Sequence, residues 1–153
     1  MSKPSERLAE LGLQLPPLAR PVAAYVPATR VGNQVWTSGQ LPVVDGQLEV
    51  TGLVGDQVTP EQATQQARTA ILNALAAASD VAGGIDALNR IVKIVVFVAS
   101  APSFTGQPAV GNGASELLGA VFGEAGAHVR SAVGVASLPL GSCVEVELVC
   151  ELG

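Results

Sequence analysis

Apolar positions recur along this chain in two rhythms, and the rhythms divide it into elements. After Thr59, residues Ala63, Ala67, Ala70, Ile71, Ala74, Leu75 and Ala78 follow at intervals of three and four. That spacing puts their side chains on one stripe of a helix. Thr59, Pro60 and Gln62 stand where an N-cap, a first helical residue and a capping-box partner belong. Val110, Ala114, Leu117, Leu118, Val121 and Phe122 repeat the rhythm and predict a second helix, beyond a loop holding Pro102, Gly106 and Pro108. Between the two, RIVKIVVFVAS from Arg90 to Ser100 is almost continuously apolar. It reads as a central strand covered on both faces.

Strand-like patterning fills most of the remainder. It runs from Ala23 to about Val54, with Asp45-Gly46 as the pair that favours a tight hairpin. Two further strands, Arg130–Ser137 and Cys143–Glu151, close the chain and read as a hairpin joined by LPLG. Ahead of all this, SERLAELG predicts a short helix with Ser5 as N-cap, Leu8 and Leu11 on one face, and Gly12 as its stop. The segment LQLPPLARPV, with prolines at 16, 17 and 21, excludes regular structure and predicts an extended arm. The order β, β, α, β, α, β, β indicates an α+β domain with two helices packed on one face of a mixed sheet. A length of 153 residues suits one such domain, with residues 1–22 as its N-terminal helix and proline-rich arm.

Composition narrows the function classes. A hydrophobic fraction of 48% excludes a disordered chain. The net charge of −5 supplies no basic field for nucleic acid or an anionic membrane. The longest apolar run, Ile94 to Ala99, is far below the roughly 20 residues of a membrane helix. MSKPSERLAELG carries charges where a signal peptide needs its apolar stretch, so a cytoplasmic location is expected. Cys143 and Cys150 lie seven residues apart in one predicted strand. At about 3.3 Å per residue they stand roughly 23 Å apart, on opposite faces and out of disulfide reach. With His128 as the single histidine and no CxxC or HExxH pattern, a protein metal site is not expected.

Several motifs carry little. GNGASE, from Gly111, lacks the third glycine of a dinucleotide-binding turn and reads as a flexible helix entry. Ser38, in TSGQ, lacks the context of a nucleophile elbow. His128, alone in a Gly/Ala-rich stretch, reads as a solvated side chain. The closing strands are more informative. Arg130 begins a strand of small and apolar residues, and strand alternation puts Glu145 and Glu147 on one sheet face near that edge. Arginine suits bidentate grip of a carboxylate, and a neighbouring glutamate suits activation of water. An ordinary ion pair on a wet face explains the same spacing equally well.

Whole motifs shift that balance. GNQVWTSGQLPV (Gly32–Val43), the helix followed by RIVKIVVFV (Arg90–Val98), and HVRSAVGVASLPLGSCVEVEL (His128–Leu148) resemble, in order, the three signature regions of the Rid family, the YjgF-like reactive intermediate deaminases. The resemblance runs from Tyr25 to Glu151. It implies a chorismate-mutase-like fold and a homotrimer with clefts between adjacent subunits. It further implies hydrolytic deamination of reactive 2-imino or enamino acids to 2-oxo acids and ammonia, without cofactor. By the same resemblance Arg130 binds the substrate carboxylate and Glu145 positions water. Ser38, Gly39 and Tyr25 line the cleft, Ala132 contributes main chain where the family often has cysteine, and Asn112 matches an asparagine of the second helix.

The chain also departs from the pattern. Ala23-Ala24 replaces the usual Gly-Pro, and the loop before the second helix reads as lengthened around Gly106–Gly113. These differences point to a divergent subgroup. A non-catalytic trimer binding small carboxylates in the same cleft is the alternative reading. The endoribonuclease label attached to some relatives has no basic groove or histidine pair behind it.

Overall fold

A computed structural model describes residues 2–18 and 23–153. A short helix α1 (Pro4–Glu10) comes first, then strands β1 (Ala28–Val31), β2 (Gln34–Thr37), β3 (Val43–Val44) and β4 (Gln47–Leu48). Helix α2 (Pro60–Ala82), strand β5 (Leu88–Ala99), helix α3 (Gln107–Phe122), and strands β6 (Val129–Val135) and β7 (Val144–Leu152) complete the chain. Five strands form a mixed sheet in the order β1-β2-β7-β5-β6, in which only the β5–β6 pair is parallel. The α+β expectation of a mixed sheet holds.

Local chemistry sets α2 as its sequence predicts. Thr59 Oγ1 accepts from the Gln62 amide at 3.1 Å, and Gln62 Oε1 accepts from the Thr59 amide at 2.9 Å. Such a reciprocal cap is worth about 1 kcal/mol. Gly83, with φ +90°, ends the helix in the left-handed conformation that a side chain would oppose. The alanine stripe lets α2 lie close to the sheet, and Ala63, Ala67, Ala70 and Ala74 are wholly buried. The apolar stripe of α3 is equally buried. Asp45 and Gly46, at φ 51° and 80°, make the expected tight turn between β3 and β4.

Four expectations need correction. First, β6 and β7 are not a hairpin: β5 lies between them, paired parallel to β6 and antiparallel to β7. The connection through LPLG therefore crosses over β5. Second, β5 is central but covered on one face only. Ile94, Val96 and Val98 are buried, whereas Lys93 is exposed and Val95 and Phe97 are half-buried. Both long helices lie on the side of Ile94, so an apolar run alone did not reveal what faces the other side.

Third, Gly106–Gly113 is not a lengthened loop, nor is GNGASE a flexible entry. The helix starts at Gln107, and Gly113 sits where α3 crosses α2, so close that a β-carbon would run into the Thr64 carbonyl. Fourth, Ser5 does not cap α1. Pro4 starts the helix two residues earlier than a cap at Ser5 would, with Lys3 as N-cap. Ser5 instead donates its hydroxyl (2.6 Å) and its amide (2.9 Å) to the Asp86 carboxylate. These bonds hold the Asp86 carboxyl below its usual range, the hydroxyl contributing most.

Beyond α1, Leu13, Leu15 and Leu18 of the proline-rich segment pack against the core; residues 19–22 of the expected arm lie outside the described residues. Cys143 and Cys150 are buried free thiols. Among the described residues, no helix is long and apolar enough to cross a membrane and no cluster of potential metal ligands occurs.

Candidate functional site

Arg130 lies on the second residue of β6, opposite Ile94 of β5, and so shares the helix-covered face. Its side chain runs under the first half of α3. Nη1 donates to Asn112 Oδ1 at 2.8 Å and to Ser115 Oγ at 3.1 Å, and Nη2 donates to the Pro108 carbonyl at 3.3 Å. Asn112 and Ser115 are three residues apart and face one way on the helix. Gly111 gives the guanidinium room, since a β-carbon there would meet Nη1 at 3.2 Å and Ala132 Cβ at 3.4 Å. The GNGAS stretch thus has a structural account: clearance at Gly111, acceptors at Asn112 and Ser115, and close helix packing at Gly113.

Ser115 also meets the lone histidine. His128 Nε2 lies 2.9 Å from Ser115 Oγ, and Nδ1 lies 2.7 Å from the Gly126 carbonyl oxygen. The ring is half-buried and held at both nitrogens. The expectation of a solvated His128 was therefore wrong: the turn at Gly123–Gly126 folds back on α3 and carries the ring to it.

Guanidinium has five N–H donors. Three are taken by acceptors that are all neutral, so they orient the cation without cancelling its charge. Among the described residues, two donors remain, on Nε and Nη2. That is the number a carboxylate accepts in a bidentate pair.

A second group forms on the other face. Glu145 pairs with Phe97 of β5, and its side chain projects to the open side with Glu147 two residues on. Gly39 packs so closely on it that a β-carbon would collide with Glu145 Oε1. The segment is pinned there by paired bonds between Gln40 and Val146, 2.8 and 3.0 Å long. Ser38 donates through its amide to the Pro27 carbonyl at 2.8 Å and receives Gln40 Nε2 at 3.2 Å. Further along, Asn73 of α2 donates to the Leu41 and Val43 carbonyls at 2.8 and 3.0 Å. Burial pushes the Glu145 carboxyl up, and the neighbouring Glu147 charge adds to the effect.

Within one chain, then, the predicted residues fall into two groups. Arg130, Asn112 and Ala132 gather under α3, whereas Ser38, Gly39 and Glu145 gather on the open face. Tyr25 is 56% exposed. Ser115, His128 and the Pro108 carbonyl complete the arginine cradle and were missed. Ser115 was findable as the helical neighbour of Asn112, had the helix been started at residue 107.

Comparison with known proteins agrees with this architecture. Residues 5–152 match the family described as YjgF/chorismate_mutase-like, whose description also carries an endoribonuclease label. Protein TCP17 of Trypanosoma cruzi is 44% identical over 146 residues, covering 95% of this chain and 91% of that one. A 2-iminobutanoate/2-iminopropanoate deaminase of Dermatophagoides farinae is 32% identical over 133 residues, covering 86% and 88%. The crystal structure of an Agrobacterium tumefaciens protein of unknown function, 42% identical, superposes with a TM-score of 0.90 and covers 98% of this chain and 92% of its own. With this match over nearly its whole length, the chain belongs to the YjgF/chorismate mutase-like family.

Proposed function

We propose that this protein hydrolyses 2-imino and 2-enamino acids to 2-oxo acids and ammonia, without a cofactor. The observation that carries the reading is the cradle of Arg130: a fixed guanidinium with neutral partners and two N–H donors left for a carboxylate. Held there, the substrate presents its C=N carbon beside a cation that draws electron density from it. An enamine first becomes the imine by gaining a proton at its β-carbon and losing one from nitrogen. Water then adds to the C=N carbon while one of its protons passes to nitrogen. The C–N bond breaks as the carbinol hydroxyl gives its proton to the departing ammonia, leaving the 2-oxo acid. Glu145 is the group that takes the proton from water, and burial, which raises its pKa above the ordinary carboxylate value, makes it the stronger base for that transfer. Ser38, Gly39 and Tyr25 shape the space around it, and Ala132 contributes main chain. The similar mite protein, named as a deaminase of two such imino acids, supports the substrate class.

The site is completed between chains. Arg130 and Glu145 occupy opposite faces of one sheet, so a substrate touching both needs a second copy. The open face also carries Val31, Trp36, Val129 and Val133 at 62%, 49%, 63% and 44% exposure, a surface unsuited to water. Both features support a cleft shared between copies of this chain, and the resemblance to the family makes the assembly a homotrimer.

The test is imine loss. An amino-acid oxidase generates 2-imino acids, semicarbazide traps what survives, and wild type is compared with Arg130→Ala. Wild type accelerates the loss, and the variant falls by about 100-fold or more, the value of two charge-assisted hydrogen bonds. Full activity in folded Arg130→Ala overturns the proposal. Absence of acceleration by folded wild type, with carboxylate binding retained, moves the reading to a carboxylate-binding protein.

A further inference from the structure

We propose that His128 and Ser115 are positioning residues that set the orientation of the Arg130 guanidinium, through a hydrogen-bond relay of fixed direction. The inference rests on the carboxylate-anchor reading of Arg130 and adds to it a role for His128 and a direction for the Ser115 contact.

Partner chemistry assigns the direction. The Gly126 carbonyl can only accept, so His128 Nδ1, 2.7 Å away, carries a hydrogen. In the neutral ring Nε2 then has only a lone pair. The Ser115 hydroxyl, 2.9 Å from it, is the donor in that contact. Having spent its one hydrogen on the ring, Ser115 Oγ turns its lone pairs outward, and Arg130 Nη1 donates to one of them at 3.1 Å. The chain runs Arg130 to Ser115 to His128 to Gly126, each group donating to the next. A serine without the histidine rotates freely and accepts from Arg130 only part of the time.

Geometry gives the relay its consequence. Asn112 and Ser115 take both hydrogens of Nη1. Two acceptors on one nitrogen define the guanidinium plane, and the plane fixes where the free donors on Nε and Nη2 point. With Ser115 lost, Asn112 at 2.8 Å and Pro108 at 3.3 Å still hold the cation near α3 but leave its tilt softer. Bidentate recognition depends on that tilt, so the loss falls mainly on carboxylate affinity.

The test uses Ser115→Ala, Ser115→Thr, His128→Leu and the Ser115→Ala/His128→Leu pair. Calorimetry with pyruvate, the simplest 2-oxo acid, measures carboxylate binding, and uncharged pyruvamide is the control. Ser115→Ala and His128→Leu each weaken pyruvate by roughly five- to tenfold, less than the tenfold or more of a direct charge-assisted hydrogen bond because the lost contact acts only through the tilt of Arg130. Ser115→Thr, which keeps the hydroxyl, stays close to wild type. The double variant is no weaker than Ser115→Ala, because His128 acts on Arg130 only through Ser115. Pyruvamide binding is the same in all forms. In turnover the loss lies in KM rather than kcat.

Additive losses in the double variant, or unchanged pyruvate affinity in Ser115→Ala, overturn the relay. Nitrogen-15 NMR of the Arg130 side chain keeps this distinct from failure of the anchor reading. Restricted rotation of the Nη1 hydrogens is released in Ser115→Ala and in His128→Leu. Unaltered Arg130 signals in both variants refute the relay whatever pyruvate does. Altered signals, with pyruvate bound by no form, leave the relay standing and remove the carboxylate role.

Discussion

Arg130 and Glu145 lie on opposite faces of one five-stranded sheet. Arg130 pairs with Ile94 and Glu145 with Phe97, and three residues along a strand reverse the direction of the side chain. An intrachain ion pair between them is therefore excluded, and cooperation in one reaction takes two subunits. Mixing Arg130→Ala with Glu145→Gln subunits, each inactive alone, should restore activity. In randomly assorted copies of the proposed trimer, about a quarter of the clefts would receive an intact arginine from one copy and an intact glutamate from the next. Recovery of about a quarter of wild-type imine hydrolysis after co-refolding checks this. No recovery, with mixed trimers verified by mass, refutes the shared cleft.

Glu145 carries a pH signature with a definite sign. Burial raises its folded-state pKa above the ordinary 4.5, so folding favours the protonated form. Its contribution to stability is fully present below the unfolded pKa and is lost as pH rises through the folded value. Thermal unfolding of Glu145→Gln should therefore show a gain over wild type at pH 7 that vanishes near pH 4. Activity runs the other way, because only the carboxylate takes a proton from water. The wild-type rate should rise with pH through a midpoint above the ordinary carboxylate value. Glu145→Gln should lose about 100-fold or more of the rate, together with that limb.

Gly39 tests the position of Glu145 without touching its chemistry. A methyl there collides with Glu145 Oε1, the far end of a side chain that can turn aside. Gly39→Ala should fold with a near-normal melting temperature yet lose about tenfold or more in imine hydrolysis. Equal activity would show that the carboxylate is not held where Gly39 leaves room for it.

Two glycines of α3 should answer alanine in opposite ways. At Gly113 the added carbon meets the backbone carbonyl of Thr64, and helix α2 cannot give way cheaply. Gly113→Ala should cost about 3 kcal/mol, the upper range for overpacking. At Gly119 nothing lies within 4 Å. Gly119→Ala should gain about 0.5–1 kcal/mol from helix propensity. Chemical denaturation of both variants reads the contrast directly.

The two cysteines should be silent until the fold opens. Burial pushes the Cys143 thiol up to about 11 and the Cys150 thiol up to about 12. The thiolate is the reactive form, so a chromogenic thiol reagent at pH 8 should label neither in native protein and both in denaturant. Prompt native labelling would contradict their burial.

Much of this molecule was legible in one dimension because its forces are local. The α2 cap needs only Thr59, Pro60 and Gln62, and the β3–β4 turn only Asp45 and Gly46. Period alone sorted Val144, Val146, Leu148 and Cys150 from Glu145 and Glu147. Three ordered motifs gave the family, and with it Arg130 and Glu145.

What the sequence determined by itself was thus the elements, their buried stripes and the residues of interest. Partnership was decided only in three dimensions. Nothing near Arg130 in sequence says that β5 inserts between β6 and β7 or that α3 starts at Gln107. Nothing there says that His128 reaches Ser115. Strand order and helix crossing are set by long-range burial, in which the whole chain competes for the same apolar contacts. That competition put the arginine under one helix, the glutamate on the open face, and the histidine at the end of a relay.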